Sequence, residues 1–253
     1  MKEFTNGFTG GAALIGAAAL LLLVAALTGR GDMTSATLVL VGVGCFIGGV
    51  FILTQYQGES VPMWVAGLAA AEPVIDLTRL CADLGLQGNA HLLLRDDKIV
   101  QVVPPGDRLL PSPPPDDYSF IGEEYGGGVQ LLPTGLALYD RLVSDCRLTV
   151  PSDSEGLCTA IREVGEAALD LAEKVEAVSE GDSIVVTLSG YRLIDGCNAV
   201  RSASPRCCTM IGCPTCSLFA CMVVVAFGRP CRIEHVSTDP KERSVRLVLR
   251  SLT

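Results

Sequence analysis

Two long runs without a charged residue dominate the pattern of this chain. Residues 8–28 read FTGGAALIGAAALLLLVAALT, and residues 36–56 read ATLVLVGVGCFIGGVFILTQY. Each is about 20 residues long, and a helix rising ~1.5 Å per residue then spans a hydrocarbon core of ~30 Å. The connector GRGDMTS is short and polar. Two spans joined so tightly make a helical hairpin, which returns the chain to the side it started from. A cleaved signal peptide fits less well: the leading region has a single Lys2, and a second apolar run follows at once. Gly7 and Gly11 are four apart, as are Gly44 and Gly48, a spacing that lets helix backbones approach closely. The expected partner of each is the other helix of the hairpin. Neither run holds an ionisable group, so the hairpin by itself offers no proton or ion path.

Beyond residue 57 the pattern changes to short mixed elements. Residues 62–85 predict a helix with an imperfect stripe of Leu68, Val74, Leu77, Leu80, Cys81 and Leu84, stopped by Gly85. Residues 90–94 and 99–103 read as strands about the turn Arg95-Asp96-Asp97-Lys98. Residues 104–117 read PPGDRLLPSPPPDD, with 6 prolines, which forbids helix and sheet and predicts a surface loop or stiff connector. A strand over 129–132 and a helix from Pro133-Thr134 to Ser144 follow. Leu157, Ile161, Val164, Ala168, Leu171, Val175 and Val178 fall at steps of four and three, predicting one long helix over 152–178 with a Ser152–Glu155 capping box. A strand over 183–188, a wholly apolar buried helix or strand over 215–227 ended by Gly228, and a hairpin of 231–236 with 244–249 complete the chain. The expected fold is α+β: an N-terminal transmembrane helical hairpin (1–57) followed by a soluble domain (58–253) of mixed or antiparallel sheet with packed helices. The domain is expected to divide into two similar halves, 62–145 and 152–253.

Charge sharpens this division. The formal net charge is −9. Lys2 and Arg30 balance Glu3 and Asp32 near the start, so the domain carries all of it. An acidic domain without a basic run is a poor partner for nucleic acid or anionic lipid heads. The chain has 11 cysteines, an odd number that suits a reducing compartment better than a secreted disulfide framework. That places the domain on the cytoplasmic side of the cell membrane, whereas the basic residues flanking the spans give no vote on orientation.

Several short strings share a layout with a known family. After the two-span hairpin come a helix ending Ala82-Asp83-Leu84-Gly85-Leu86, then Leu132-Pro133-Thr134-Gly135-Leu136-Ala137-Leu138-Tyr139, a long amphipathic helix, a strand, and a small-residue helix leaving through Gly228-Arg229-Pro230. This resembles an archaeal membrane-protein family of unknown function, found mostly in haloarchaea and methanogens, along nearly the whole chain. The resemblance implies no activity. It also implies that the cysteine cluster is a local feature of this chain.

That cluster is the densest candidate site. Cys207, Cys208, Cys213 and Cys216 crowd one loop, with Cys197, Cys221 and Cys231 nearby. Cys208, Cys213 and Cys216 have the C-x4-C-x2-C spacing of plant-type ferredoxins, with Cys221 or Cys231 as a fourth ligand. The expected metal set is therefore Cys207, Cys208, Cys213, Cys216, Cys221 and Cys231, for zinc or an iron–sulfur cluster. A redox reading stands beside it: Pro214 can open a helix, whose N-terminus stabilises a thiolate in Cys213-Pro214-Thr215-Cys216. The bland alternative is a set of small buried residues at the mouth of a core helix.

Other candidates are weaker. His91 and His235 are expected on the surface. Arg192, Asp195, Arg201 and Arg206 flank the cysteine loop and are expected to pair with one another rather than line an anion pocket. No string of a known catalytic set is present. The expected function is a membrane-anchored interaction or sensory module without catalysis, with the lipid bilayer, a protein partner and further copies of the chain as partners; the alternative is a cysteine-ligated metal or thiol redox protein.

Overall fold

The structure is a computed structural model that describes residues 4–28, 33–55, 62–106, 119–123 and 126–252. Residues 107–117 of the proline-rich stretch, and most of the connector between the two apolar runs, lie outside these. The chain divides into two compact units, Met1–Val61 and Pro62–Thr253.

The first unit is a pair of helices, α1 (Phe4–Thr28) and α2 (Met33–Gln55), packed along each other. Both are long and apolar enough to cross a membrane, and only 11 % of each span is buried. Large side chains such as Leu20, Leu27, Leu40, Ile47 and Phe51 point outward. A face of that size and kind suits lipid as its solvent. Thr37 and Thr54 turn their hydroxyls back onto the carbonyls of Met33 (2.8 Å) and Phe51 (3.0 Å), so neither presents an unpaired donor to that solvent. The small residues at the seam are Gly11, Ala18, Gly42 and Gly49, all buried and spaced by sevens within each helix. Gly44 and Gly48 face open space, which corrects the expectation that their four-residue spacing serves the hairpin.

In the second unit, α3 (Met63–Asp83) leads into the hairpin β1 (His91–Arg95) and β2 (Lys98–Val103). Asp96 and Asp97 both have positive φ, the conformation a two-residue strand turn requires. The short strands β3 (Phe120–Ile121) and β4 (Gly128–Leu131) and helix α4 (Leu136–Cys146) follow. The predicted long helix over 152–178 breaks in two. Helix α5 (Ser154–Glu163) ends in a widened π turn, Val164–Ala168, and Lys174–Glu180 becomes strand β5. Its cap is Asp153, whose carboxylate accepts from the Gly156 N–H at 2.7 Å, not the expected Ser152. Strand β6 (Ser183–Ser189), helices α6 (Ile194–Ala203), α7 (Arg206–Met210) and α8 (Pro214–Phe227), and strands β7 (Cys231–Asp239) and β8 (Ser244–Ser251) complete the unit.

Among the described residues the strands form one 8-stranded sheet in the order β3-β4-β2-β1-β7-β8-β6-β5. Every pairing is antiparallel, so the α+β class and the sheet expected from sequence hold. One face of the sheet packs on α8. Ile99, Val103, Val186, Leu247 and Leu249 join Leu218, Phe219 and Met222 in a single core. Apolar all round, α8 is buried all round, as its sequence requires. The stretch Arg206–Phe227 is also apolar enough to cross a membrane, but it lies 83 % buried in this unit and breaks between α7 and α8.

Candidate functional site

The break between α7 and α8 builds the site. Gly212 takes a φ of +80°, and its carbonyl accepts from the Thr134 hydroxyl at 2.9 Å. The Gln101 side-chain amide, fully buried on β2, donates to the Ile211 carbonyl at 3.0 Å. These bonds hold the chain so that Cys213 becomes the N-cap of α8, Pro214 opens the helix, and Cys216 falls one turn in. The first helical bond closes from the Ser217 N–H to the Cys213 carbonyl at 2.9 Å.

At this position the two thiols neighbour each other. Hydrogen bonding to the Cys216 side chain, helped by the backbone N–H groups of Thr215 and Cys216, outweighs burial and lowers the Cys213 pKa to about 7. Cys216 is pushed the other way, because it donates to Cys213 and is buried. Cys197 on α6 and Cys208 on α7 lie within electrostatic reach of this pair, and burial raises both. Cys208 reaches about 12. Tyr191 is buried against the same group, with its hydroxyl bonded to the Thr215 hydroxyl at 2.8 Å and its ionisation strongly suppressed by burial.

Cys213 is the partly exposed member, and it lines a cavity of about 320 Å³. The wall is made by Met63, Gly67 and Ala71 of α3, Leu171, Gly196 and Cys197, with Thr215 at the helix end. The chamber is apolar, so a small apolar molecule that enters it meets the one sulfur most easily ionised.

The six cysteines expected to hold zinc or an iron–sulfur cluster are not gathered together. The structure unites Cys208, Cys213 and Cys216 and adds Cys197, which the expected set omitted. Cys221 and Cys231 neighbour each other farther along, and Cys207 lines a different cavity with Arg79 and Leu86. Among the described residues, no three His, Cys, Asp or Glu side chains are placed to hold a metal ion. Helix α8 carries both Cys216 and Cys221, with Cys221 near Asp140 and Ser217.

The remaining candidates also find definite places. His91 is 1 % exposed, correcting the surface position expected from alternation, because the second face of the sheet is covered there as well. His235 is exposed as expected. Arg192 pairs with Asp170 at 2.7 Å, Arg201 donates to the Val236 carbonyl, and Arg206 donates to the Gln87 carbonyl. The basic residues therefore tie α6 and α7 to their surroundings, in place of the mutual pairing expected. Tyr191 and Gln101 escaped the sequence reading: a lone Tyr before an unpredicted helix, and a Gln within a strand, carry no local signal.

The chain belongs to the family of the domain of unknown function DUF7982, whose model matches residues 8–250. No curated protein and no solved structure matches it.

Proposed function

Starting from that membership, we propose that the protein is a membrane-anchored sensory module whose sensing element is the Cys213–Cys216 dithiol. The observation that carries this reading is the placement of two neighbouring cysteines at the cap and first turn of α8, one of them in the wall of an apolar cavity. The apolar faces of α1 and α2 support membrane anchoring. The 11 cysteines are all free, which supports a cytoplasmic domain.

The chemistry is thiol–disulfide exchange. The Cys213 thiolate attacks one sulfur of an incoming disulfide and expels the other as a thiolate. Cys216 then gives up its proton and attacks the Cys213 sulfur, expelling the second thiolate. Two protons leave the protein with two electrons, and the incoming disulfide ends as two thiols. The Cys213–Cys216 bond ties the cap of α8 to its first turn, at the junction with α7 and the cavity wall, where a conformational readout can begin.

The test uses the full chain in detergent and 2,2′-dithiodipyridine, a small apolar disulfide that fits the cavity. The expected result is a rapid phase releasing two thiopyridones, with a Cys213–Cys216 disulfide in the peptide map and no retained pyridyl group. Cys216→Ser should stop at one thiopyridone and keep the adduct, and Cys213→Ser should lose the rapid phase. Equal, slow reaction of all thiols with no 213–216 disulfide would overturn the proposal.

A further inference from the structure

Strand β5 ends the sheet and pairs on one side only, with β6. The opposite end strand, β3, has 2 residues, whereas β5 has 7. An end strand of that length presents backbone N–H and C=O groups that template another strand. The ladder fixes which of them face outward. Ser251 donates its N–H to the Asp182 carbonyl at 2.8 Å, so Ile184, Val186 and Leu188 of β6 bond toward β8. The alternate residues of β6 then bond to Lys174, Glu176, Val178 and Glu180 of β5. Val175, Ala177 and Ser179 are left with their backbone groups turned away from the sheet.

One of these groups is already used: the Val175 N–H donates to the Glu166 carboxylate at 2.5 Å. Among the described residues nothing takes the outward groups of Ala177 and Ser179. The side chains alternate between the two faces. Val175 and Ala177 pack against the core, while Lys174, Glu176, Val178 and Glu180 stand exposed on the outer face. Val178 is 54 % exposed, an apolar side chain in a charged row at the rim of the sheet.

We infer that two copies of the chain pair antiparallel through β5, about a two-fold axis at Ala177, and join their sheets edge to edge. Charge selects this register. With the axis at Ala177, Lys174 stands opposite Glu180 of the second copy at both ends of the seam, and all of β5 is paired. Moving the axis to Glu176 sets that carboxylate against its own counterpart, and moving it to Val178 sets Glu176 against Glu180. Lys174 holds Glu176 of its own strand at 2.5 Å and keeps donors for the second carboxylate. The two Ala177 residues exchange N–H and C=O bonds, and each Ser179 N–H reaches the Val175 carbonyl of the other copy. Val178 becomes the diagonal neighbour of its counterpart, at ~7–8 Å, and loses part of its exposure. Backbone bonds supply the affinity and the charges supply the register. The contact is separate from the dithiol and does not rest on it.

The experiment is sedimentation equilibrium of the full chain in density-matched detergent, which reads the protein mass alone. The wild-type chain should be in reversible equilibrium with a dimer. Lys174→Glu and Glu180→Lys each place like charges opposite each other at both ends of the seam and should raise the dimer Kd about tenfold. Combining the two restores opposite charges and should recover most of that loss. Ala177→Pro removes the central outward donor without touching a bond to β6 and should leave a monomer. If the proline variant does not fold, the charge series decides alone. A monomeric wild-type chain, a Kd unchanged by both single charge reversals, or a double variant no tighter than the single ones would overturn the inference.

Discussion

Gly196 packs its α-carbon directly onto the backbone of Gly67, so that a β-carbon on Gly196 would lie 2.2 Å from the Gly67 carbonyl oxygen. This contact is where α6 crosses α3, and both residues line the cavity that Cys213 faces. Gly196→Ala would ordinarily favour a helix by about 1 kcal/mol. Here the clash is with backbone, which cannot rotate away, and overpacking of this kind costs roughly 1–3 kcal/mol. The net effect should be loss of stability in urea denaturation of the full chain. Gly67→Ala meets its nearest atom at 3.4 Å and should be close to neutral.

The hairpin gives a second contrast. A β-carbon on Gly49 would sit 2.8 Å from Ile15 Cγ1 and 3.0 Å from the Gly11 carbonyl, whereas Gly44 and Gly48 have nothing within 4 Å. Gly49→Leu should therefore force α1 and α2 apart and lower the Tm in detergent by several degrees, as a change of about 1 kcal/mol or more does for a domain of this size. Gly44→Leu and Gly48→Leu should leave the Tm within a degree or two. A matching loss in all three would show that the seam runs elsewhere.

These glycines mark the limit of what the sequence reveals. Composition showed that small residues were present, but which of them meet depends on helix rotation, and a spacing of four suggested the wrong pair. Local signals fared better where one residue forces the backbone: the Asp96-Asp97 turn, Gly85 after α3 and Gly228 after α8 all stood out, each with positive φ. The run over 152–178 misled because Val175 and Val178 continue a helical period by coincidence. Asp170 takes a φ of 49°, the chain reverses, and Val175 packs against Gly165 from a strand instead. For the cysteines, spacing left a metal loop, a dithiol and a set of small buried residues all open. The observed grouping needed Cys197, brought in by a helix that no apolar period announced.

The buried thiols predict an alkaline limit to stability. Cys197, Cys208, Cys221 and Cys231 all have pKa values raised by burial, Cys208 and Cys221 to about 12. A raised thiol is protonated in the folded state at a pH where the unfolded chain has already lost the proton. Its contribution is complete below the ordinary thiol value of 9.0 and falls as pH rises beyond it, by at most ~1.4 kcal/mol per pH unit for each group. Denaturation under reducing conditions should show stability dropping steeply above pH 9, and Cys221→Ala should flatten that slope. A slope unchanged by removing any one of the four would contradict the argument.

Cys213 carries the opposite sign. Its folded pKa is lowered to about 7, so its contribution to stability is present above 9 and is lost as pH falls through about 7. The same shift governs reactivity, because the thiolate is the nucleophile. Alkylation of Cys213 by iodoacetamide, followed by mass mapping of the 213 peptide, should rise to half its maximum near pH 7, while Cys208 and Cys197 stay unreactive until far higher pH. The largest cause of the shift is the hydrogen bond from Cys216. Cys216→Ala removes that donor but keeps the backbone N–H groups of the helix end, so the midpoint should move upward without reaching an ordinary thiol. A midpoint that stays in place would assign the shift to the helix end alone, and a midpoint already near 9 in the wild-type chain would remove the chemical basis for Cys213 as the attacking sulfur.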